Sequence, residues 1–258
     1  MEPSRPPSPA RLLALAAVLL LAPSARPQGV PTTADRGLAG RLPPDAVALI
    51  SFPDLSGSIE RAKGLPFGKI LAGDEMKDFL AGPLGVLGRE FEGARSQAQR
   101  EGGPDPAVLL STRWKGIELA LARARFGDRG FELGVAGRFD AGEGWPGVRE
   151  QLGRVVEVTR KNPEMGRIEE RKVGERTWTL LHAPDPGLQG AFFWTDDGRE
   201  IHLAVGSPAS GWFAEYFGRV AEGKGGPSLA EDPDFLVCAK RGASAPDLRV
   251  FLRIRPLL

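Results

Sequence analysis

Apolar and polar positions follow two rhythms along this chain, and each change of rhythm marks an element. Residues 45–52 (DAVALISF) form a near-continuous apolar run with β-branched members, the pattern of a buried strand, and Pro53-Asp54 closes it. Helical spacing follows. Short helices are predicted over 55–63, 65–72 and 74–80, and a longer one over 83–100, in which Leu84, Leu87, Phe91 and Ala94 share a face. Gly102-Gly103-Pro104 is a break, and 106–114 reads as one more short helix.

A period of two then takes over. Ile117, Leu119 and Leu121 alternate with Glu118, Ala120 and Ala122. Beyond the turn at 127–130, Phe131, Leu133, Val135 and Phe139 alternate with Glu132, Gly134, Ala136 and Arg138. This predicts an antiparallel hairpin whose apolar set faces the core and whose Glu/Ala/Arg set faces water. Residues 145–161 return to helical spacing, with Val148, Leu152, Val155 and Thr159 on one face and Pro146 near the start. Four strands are predicted next, over 167–173, 176–182, 190–195 and 199–205, the last two joined by the hairpin turn Asp196-Asp197-Gly198. Ser207-Pro208 signals a helix start, with Trp212, Phe213, Tyr216, Phe217 and Val220 as its apolar face. A helix over 229–239 and a strand over 247–254 complete the pattern. Antiparallel meanders flanked by blocks of helix predict an α+β fold.

The first 25 residues do not belong to that pattern. Arg5 and Arg11 precede an 11-residue apolar run, Leu12–Ala22, followed by the small residues of Ala22-Pro23-Ser24-Ala25. These are the parts of a secretory signal peptide. The run is too short to cross a bilayer, which takes about 20 residues. The alternative is that the leader stays attached as an anchor. The expected organisation is a signal peptide over 1–25, a flexible linker over 26–43 rich in Pro, Gly, Thr and Arg, an α+β domain over 44–245, and a last strand over 246–258. No later stretch is apolar enough for an integral membrane span, so the chain is expected in the periplasm or outside the cell.

The last strand echoes the first. With a shift of 202 residues, Pro44-Asp45 meets Pro246-Asp247, and Ala48, Leu49, Ile50 and Phe52 meet Val250, Phe251, Leu252 and Ile254. The echo has two readings: the opening strand of a second, tandem unit, or a strand that completes the first sheet. The leader, the segment 42–50 (LPPDAVALI) and the segment 228–235 (SLAEDPDF) together resemble exported bacterial proteins grouped only as a domain of unknown function. That resemblance implies an architecture and a cell-envelope compartment, and transfers no catalytic residue.

Composition narrows the chemistry. The 258 residues carry 34 Lys+Arg against 33 Asp+Glu. Removal of Arg5, Arg11 and Glu2 with the leader would leave the remainder neutral. No nucleic-acid partner is therefore expected, since such proteins carry a basic patch. One Cys and two His make neither an internal disulfide nor a structural zinc site. Cys238, in the run Phe235-Leu236-Val237-Cys238, is expected to be buried. Gly142-Glu143-Gly144-Trp145-Pro146-Gly147 fits a dinucleotide-binding spacing. The alternating strand before it and Pro146 at the helix start favour a plain strand-to-helix loop, so no cofactor is expected.

His202 alternates with Ile201 and Leu203 and is expected to face solvent. His182 shares a strand face with Trp178 and Leu180, and Asp185 follows it. His182 and Asp185 are the candidate catalytic residues of a hydrolase, although no G-x-S-x-G nucleophile elbow accompanies them. Glu169 and Glu170 point to opposite faces of one strand and cannot act as a pair. Acidic residues at 185, 196–197 and 231–234 lack the spacing of a calcium loop, so no metal site is expected. Trp178, Phe192, Phe193, Trp194 and Trp212 concentrate aromatic mass. Trp178, Trp194 and Trp212 are the candidate binding residues of a carbohydrate or lipid module, with a core role as the alternative. The leading expectation is a non-catalytic, exported envelope protein that acts through an unidentified protein partner.

Overall fold

The computed structural model describes residues 37–71, 73–127, 130–184, 189–223, 225–241 and 248–253. The leader at 1–25, most of the expected linker, Asp185 and the far end of the last expected strand lie outside the described residues. In chain order the elements are β1 (Ala48–Phe52), α1 (Leu55–Gly64), α2 (Pro66–Leu71), α3 (Asp74–Glu101), α4 (Pro106–Ser111), β2 (Gly116–Gly127) and β3 (Gly130–Asp140), then α5 (Trp145–Lys161), β4 (Arg167–Val173), β5 (Arg176–His182), β6 (Gln189–Thr195), β7 (Glu200–Gly206), α6 (Trp212–Ala221), α7 (Pro233–Arg241) and β8 (Arg249–Leu252). The fold is α+β. The eight strands among the described residues form one antiparallel sheet in the order β4-β5-β6-β7-β3-β2-β1-β8.

The strand that echoes β1 lies directly beside it. β8 runs antiparallel to β1 with Leu49 opposite Phe251, the same pair that the shift of 202 aligns. Arg253 fastens this edge: its amide donates to Val47 O and its Nη2 to Pro44 O, and it pairs with Asp232 at 2.9 Å.

Both faces of the sheet are covered. On the inner face α6 lays Trp212, Tyr216 and Phe217 over Ala120, Ala136, Ala204, Phe193 and Leu180. On the outer face α5 sets Trp145 and Val148 against Trp194 and Ile201. This two-sided cover reverses one expectation. The Glu118/Ala120/Ala122 and Gly134/Ala136/Arg138 sets, expected to face water, are the buried ones, while Phe131 on the alternate parity is 48% exposed. The reason is steric. Small residues on β2, β3 and β7 leave a trough, and large rings from α6 fill it. Trp212 lies so close to β3 that a Cβ at Gly134 would stand 2.8 Å from its ring, and its Nε1 donates to Val135 O at 2.8 Å.

Local differences from the sequence expectation also have causes. The helix expected to follow an N-cap at Ser207 starts four residues later, with Gly211 at the cap position. Residues Pro208–Ser210 form a 3₁₀ turn, and Gly211, at φ 60°, makes the left-handed step into α6. Ser207 uses its Oγ to accept from the Leu133 amide instead of capping a helix. Helix α3 runs through Pro83 as one 28-residue element where two were expected, at the cost of one backbone hydrogen bond. Residues Leu38–Arg41, within the span expected as linker, form a 3₁₀ turn, and Leu38 and Leu42 are fully buried in the inner core. Cys238 is exposed. Helix α7 is covered on one side only, where Phe235 meets Phe251 with centroids 5.3 Å apart, and Leu236, Val237 and Cys238 all turn outward.

Helices α1–α3 form an arm with few contacts to the sheet. It reaches the body through α4, whose leading residue Asp105 donates its amide to Gln151 Oε1 on α5 at 2.7 Å. No residue of α1 is buried, and Phe79 on α3 is 74% exposed.

Candidate functional site

Register alone assembles a row of polar side chains across the inner face. Ser51 on β1 is opposite Glu118 on β2, Glu118 is opposite Arg138 on β3, and Arg138 is opposite His202 on β7. Two residue pairs further along, on the same face, Asp140 is opposite Glu200. Side chains of the same parity on neighbouring strands meet, so these charges converge by construction.

Arg138 is the hub. Its Nη1 donates to Glu118 Oε2 at 2.9 Å, its Nε and Nη2 to Glu200 Oε1 at 2.9 and 2.5 Å, and its Nη2 to Asp140 Oδ2 at 3.3 Å. Glu118 also accepts from the Leu38 amide and from Ser51 Oγ. Arg41, from the 3₁₀ turn ahead of β1, donates from Nη1 to Glu200 Oε2 at 2.9 Å and lies 3.1 Å from His202 Nε2. Burial opposes the Arg138 charge, yet the Glu200 and Glu118 carboxylates outweigh it and hold its pKa above the ordinary arginine value. Burial likewise opposes the Glu200 charge, but hydrogen bonds from His202 and Arg138 and the Arg41 charge keep it well below the usual carboxylate range.

His202 ends this row and begins the aromatic one. Expected at the surface, it is 2% exposed, stacked on Phe193 with centroids 5.3 Å apart and flanked by Trp178 and Tyr216. Burial, aided by the Arg41 and Arg138 charges, pushes its pKa down to about 4 against the pull of Glu200. The expectation failed because alternation with Ile201 implies one wet face, and this sheet has none at β7.

Above the network opens a cleft of about 850 Å³, at the end of the sheet where β2 and β7 begin and β3 and β6 finish. Six Lys or Arg and four Asp or Glu side chains line it. The acids are largely engaged. Glu200 and Asp140 belong to the network, and Asp54 caps α1 by accepting from the Gly57 amide. Arg176 pairs with Asp197 at 3.3 Å. The side chains of Arg113, Lys115 and Arg199 make no hydrogen bond or ion pair among the described residues and stand exposed at the rim.

Of the candidate catalytic pair, the structure describes only His182. It lies four residues along β5 from Trp178, about 13 Å of strand, away from the cleft. His182 Nε2 is 3.1 Å from Glu169 Oε2, and its ring meets Phe213 edge-on. Arg171 in turn donates to Glu169 Oε1 at 2.6 Å. Burial, and then the Arg167 charge, lowers the His182 pKa, while the Arg171 hydrogen bond chiefly lowers that of Glu169. Glu169 and Glu170 do diverge: Glu170 pairs outward with Arg160 at 2.6 Å. The carboxylate beside His182 was missed because it lies on the neighbouring strand. The available signal was that Arg167–His182 and Glu169–Leu180 are opposed pairs, which places Glu169 diagonal to His182.

The three candidate binding tryptophans do not share a surface. Trp178 and Trp212 belong to the inner core and Trp194 to the outer one, and all three are buried. Trp178 alone lines the cleft, and its buried Nε1 has no hydrogen-bond acceptor among the described residues. The glycine-rich segment at 142–147 is a 3₁₀ turn leading into α5, and Gly142 donates its amide to Asp140 Oδ1 at 2.9 Å. One of the donors a pyrophosphate would seek is thereby engaged, and the sheet it follows is antiparallel throughout. Among the described residues no group of His, Cys, Asp and Glu is placed to hold a metal ion, and no helix is long and apolar enough to cross a membrane.

Comparison with protein-family models, with curated proteins and with solved structures finds no significant match.

Proposed function

We propose that this chain is an exported, non-catalytic binding protein of the cell envelope, and that the cleft above Arg138 is where it takes its ligand. The observation that carries this reading is the state of the groups in the cleft floor. Arg138, Glu118, Glu200 and Asp140 are spent on one another in hydrogen bonds of 2.5–3.3 Å, and Glu118 also accepts from the Leu38 amide. Groups so engaged shape a rigid floor rather than supply a free acid, base or nucleophile. The leader pattern at residues 5–25 supports the compartment. The exposed apolar side chains of Ile70, Phe79 and Val86 on the arm would serve a protein partner in the same compartment. Cell fractionation tests export: the chain should be recovered from periplasm or medium, and recovery from cytoplasm alone overturns that half. Protection of Trp178 fluorescence from acrylamide quenching by a bound small molecule tests the cleft.

A second reading, an envelope hydrolase, is favoured by the His182–Glu169 contact of 3.1 Å, which resembles a base with its orienting carboxylate. His182→Ala should then abolish turnover on an esterase panel and leave the melting temperature within a few degrees. Loss of fold instead of activity overturns it.

A further inference from the structure

The cleft is asymmetric in charge, and the asymmetry identifies a ligand class. Glu200 and Asp140 face inward to Arg138 and Arg41, while Arg113, Lys115 and Arg199 stand at the rim with no hydrogen bond or ion pair among the described residues. Glu143 and Asp54, which pairs with Arg61, are the exposed carboxylates in the same lining. Arg41 adds a positioned donor. Glu200 holds it through Nη1, its side chain remains 31% exposed, and its Nε and Nη2 make no bond among the described residues. A guanidinium anchored on one arm and open on the other is prepared for a bidentate carboxylate or phosphate. The buried indole N–H of Trp178 in the wall has no acceptor among the described residues, and an anionic oxygen would supply one. The volume, about 850 Å³, exceeds what a single phosphate fills and suits an organic molecule of metabolite size.

Resting on the binding reading above, we propose that the cleft takes a small organic polyanion with two or more phosphate or carboxylate groups, one held by Arg41 and another by Lys115 and Arg199. Arg138 and Arg41 balance two of the three floor carboxylates, Glu118, Glu200 and Asp140, and the rim cations outweigh the charge that remains. The rim cations draw the ligand in, so affinity falls as salt rises.

The test is calorimetric titration of the purified full chain with pyrophosphate, with citrate, and with maltotriose as a neutral ligand, at low and high salt. Vesicles of phosphatidylglycerol are added in a sedimentation arm. Pyrophosphate or citrate should bind. The double variant Lys115→Gln/Arg199→Gln should weaken binding by about tenfold or more for each cation removed, with an unchanged melting temperature, since neither side chain makes a bond among the described residues. Arg149→Gln/Arg154→Gln, on α5 outside the cleft, should bind as the parent does. Binding of the soluble probes marks a free ligand as the source. Sedimentation with vesicles alone, lost in the rim variant, marks a lipid headgroup. Failure of every anionic probe, or equal binding by the rim variant, overturns the proposal. Maltotriose binding without anion binding overturns the polyanion and leaves the binding reading standing, whereas failure of all probes removes both.

Discussion

The inner face of the sheet is two structures joined at His202. Toward α6 it is aromatic: Phe193 meets Phe217, Tyr216 and Trp178 at centroid distances of 5.3–5.9 Å. Toward the cleft it is ionic, with Arg138 shared among Glu118, Glu200 and Asp140. The two halves use the same strands and the same parity, yet they tolerate damage differently. Rings in the aromatic half are held by contact area, so each loss is local and scales with the volume removed. Charges in the ionic half are held by completeness, because removing one partner leaves unbalanced charge on groups that are largely buried.

The largest effect is expected where packing is densest. Phe193→Ala should cost about 4 kcal/mol in urea unfolding, with binding at the cleft retained wherever the variant folds. An unchanged midpoint would show that the aromatic half is not the core. Next, Glu118→Ala should cost about 3 kcal/mol by taking one of Arg138's three carboxylate partners and the acceptor of the Leu38 amide and the Ser51 hydroxyl together. Its mark is non-additivity: combined with Arg138→Leu, the double variant should be less destabilised than the sum of the singles. Additive losses would break the distinction between the halves.

The junction gives a pH signature. The folded protein keeps His202 neutral down to about pH 4, whereas the unfolded chain takes up its proton near pH 6.5. Unfolding therefore takes up a proton between those values, and stability falls as pH drops through that window, by up to about 3 kcal/mol. Glu200 acts in the same direction lower down. Its carboxylate is held well below the usual carboxylate range, so its contribution is present above that range and is lost as pH falls through it. His202→Phe should flatten the slope between pH 6.5 and 4 in a urea series. A slope unchanged by the substitution would place the acid sensitivity elsewhere. The smallest effect is steric. Gly134→Ala should cost about 2 kcal/mol by pushing Trp212 off β3, visible as a shift in Trp fluorescence.

Much of the skeleton was readable from residue order. The predicted span 145–161 coincides with α5, and those over 167–173 and 176–182 with β4 and β5, because amphipathic period and turn chemistry are local properties. The cleft was not readable. Arg41, Glu118, Arg138 and His202 are spread over 161 positions, and strand order brings them together. His202 and the Glu118/Arg138 parity were assigned to solvent because alternation shows that two faces differ, not which one is wet. On this sheet the second helical layer, α6, covers the parity with the smaller and more polar side chains.

Residue order alone settled the element types, the antiparallel class and the charge balance, since each depends on neighbours a few positions apart. The three-dimensional packing settled which face is buried, where β8 lies and which cations are left free. Those outcomes depend on what covers each surface, and a covering layer such as α6 or the turn at Leu38–Arg41 comes from parts of the chain that no local pattern connects.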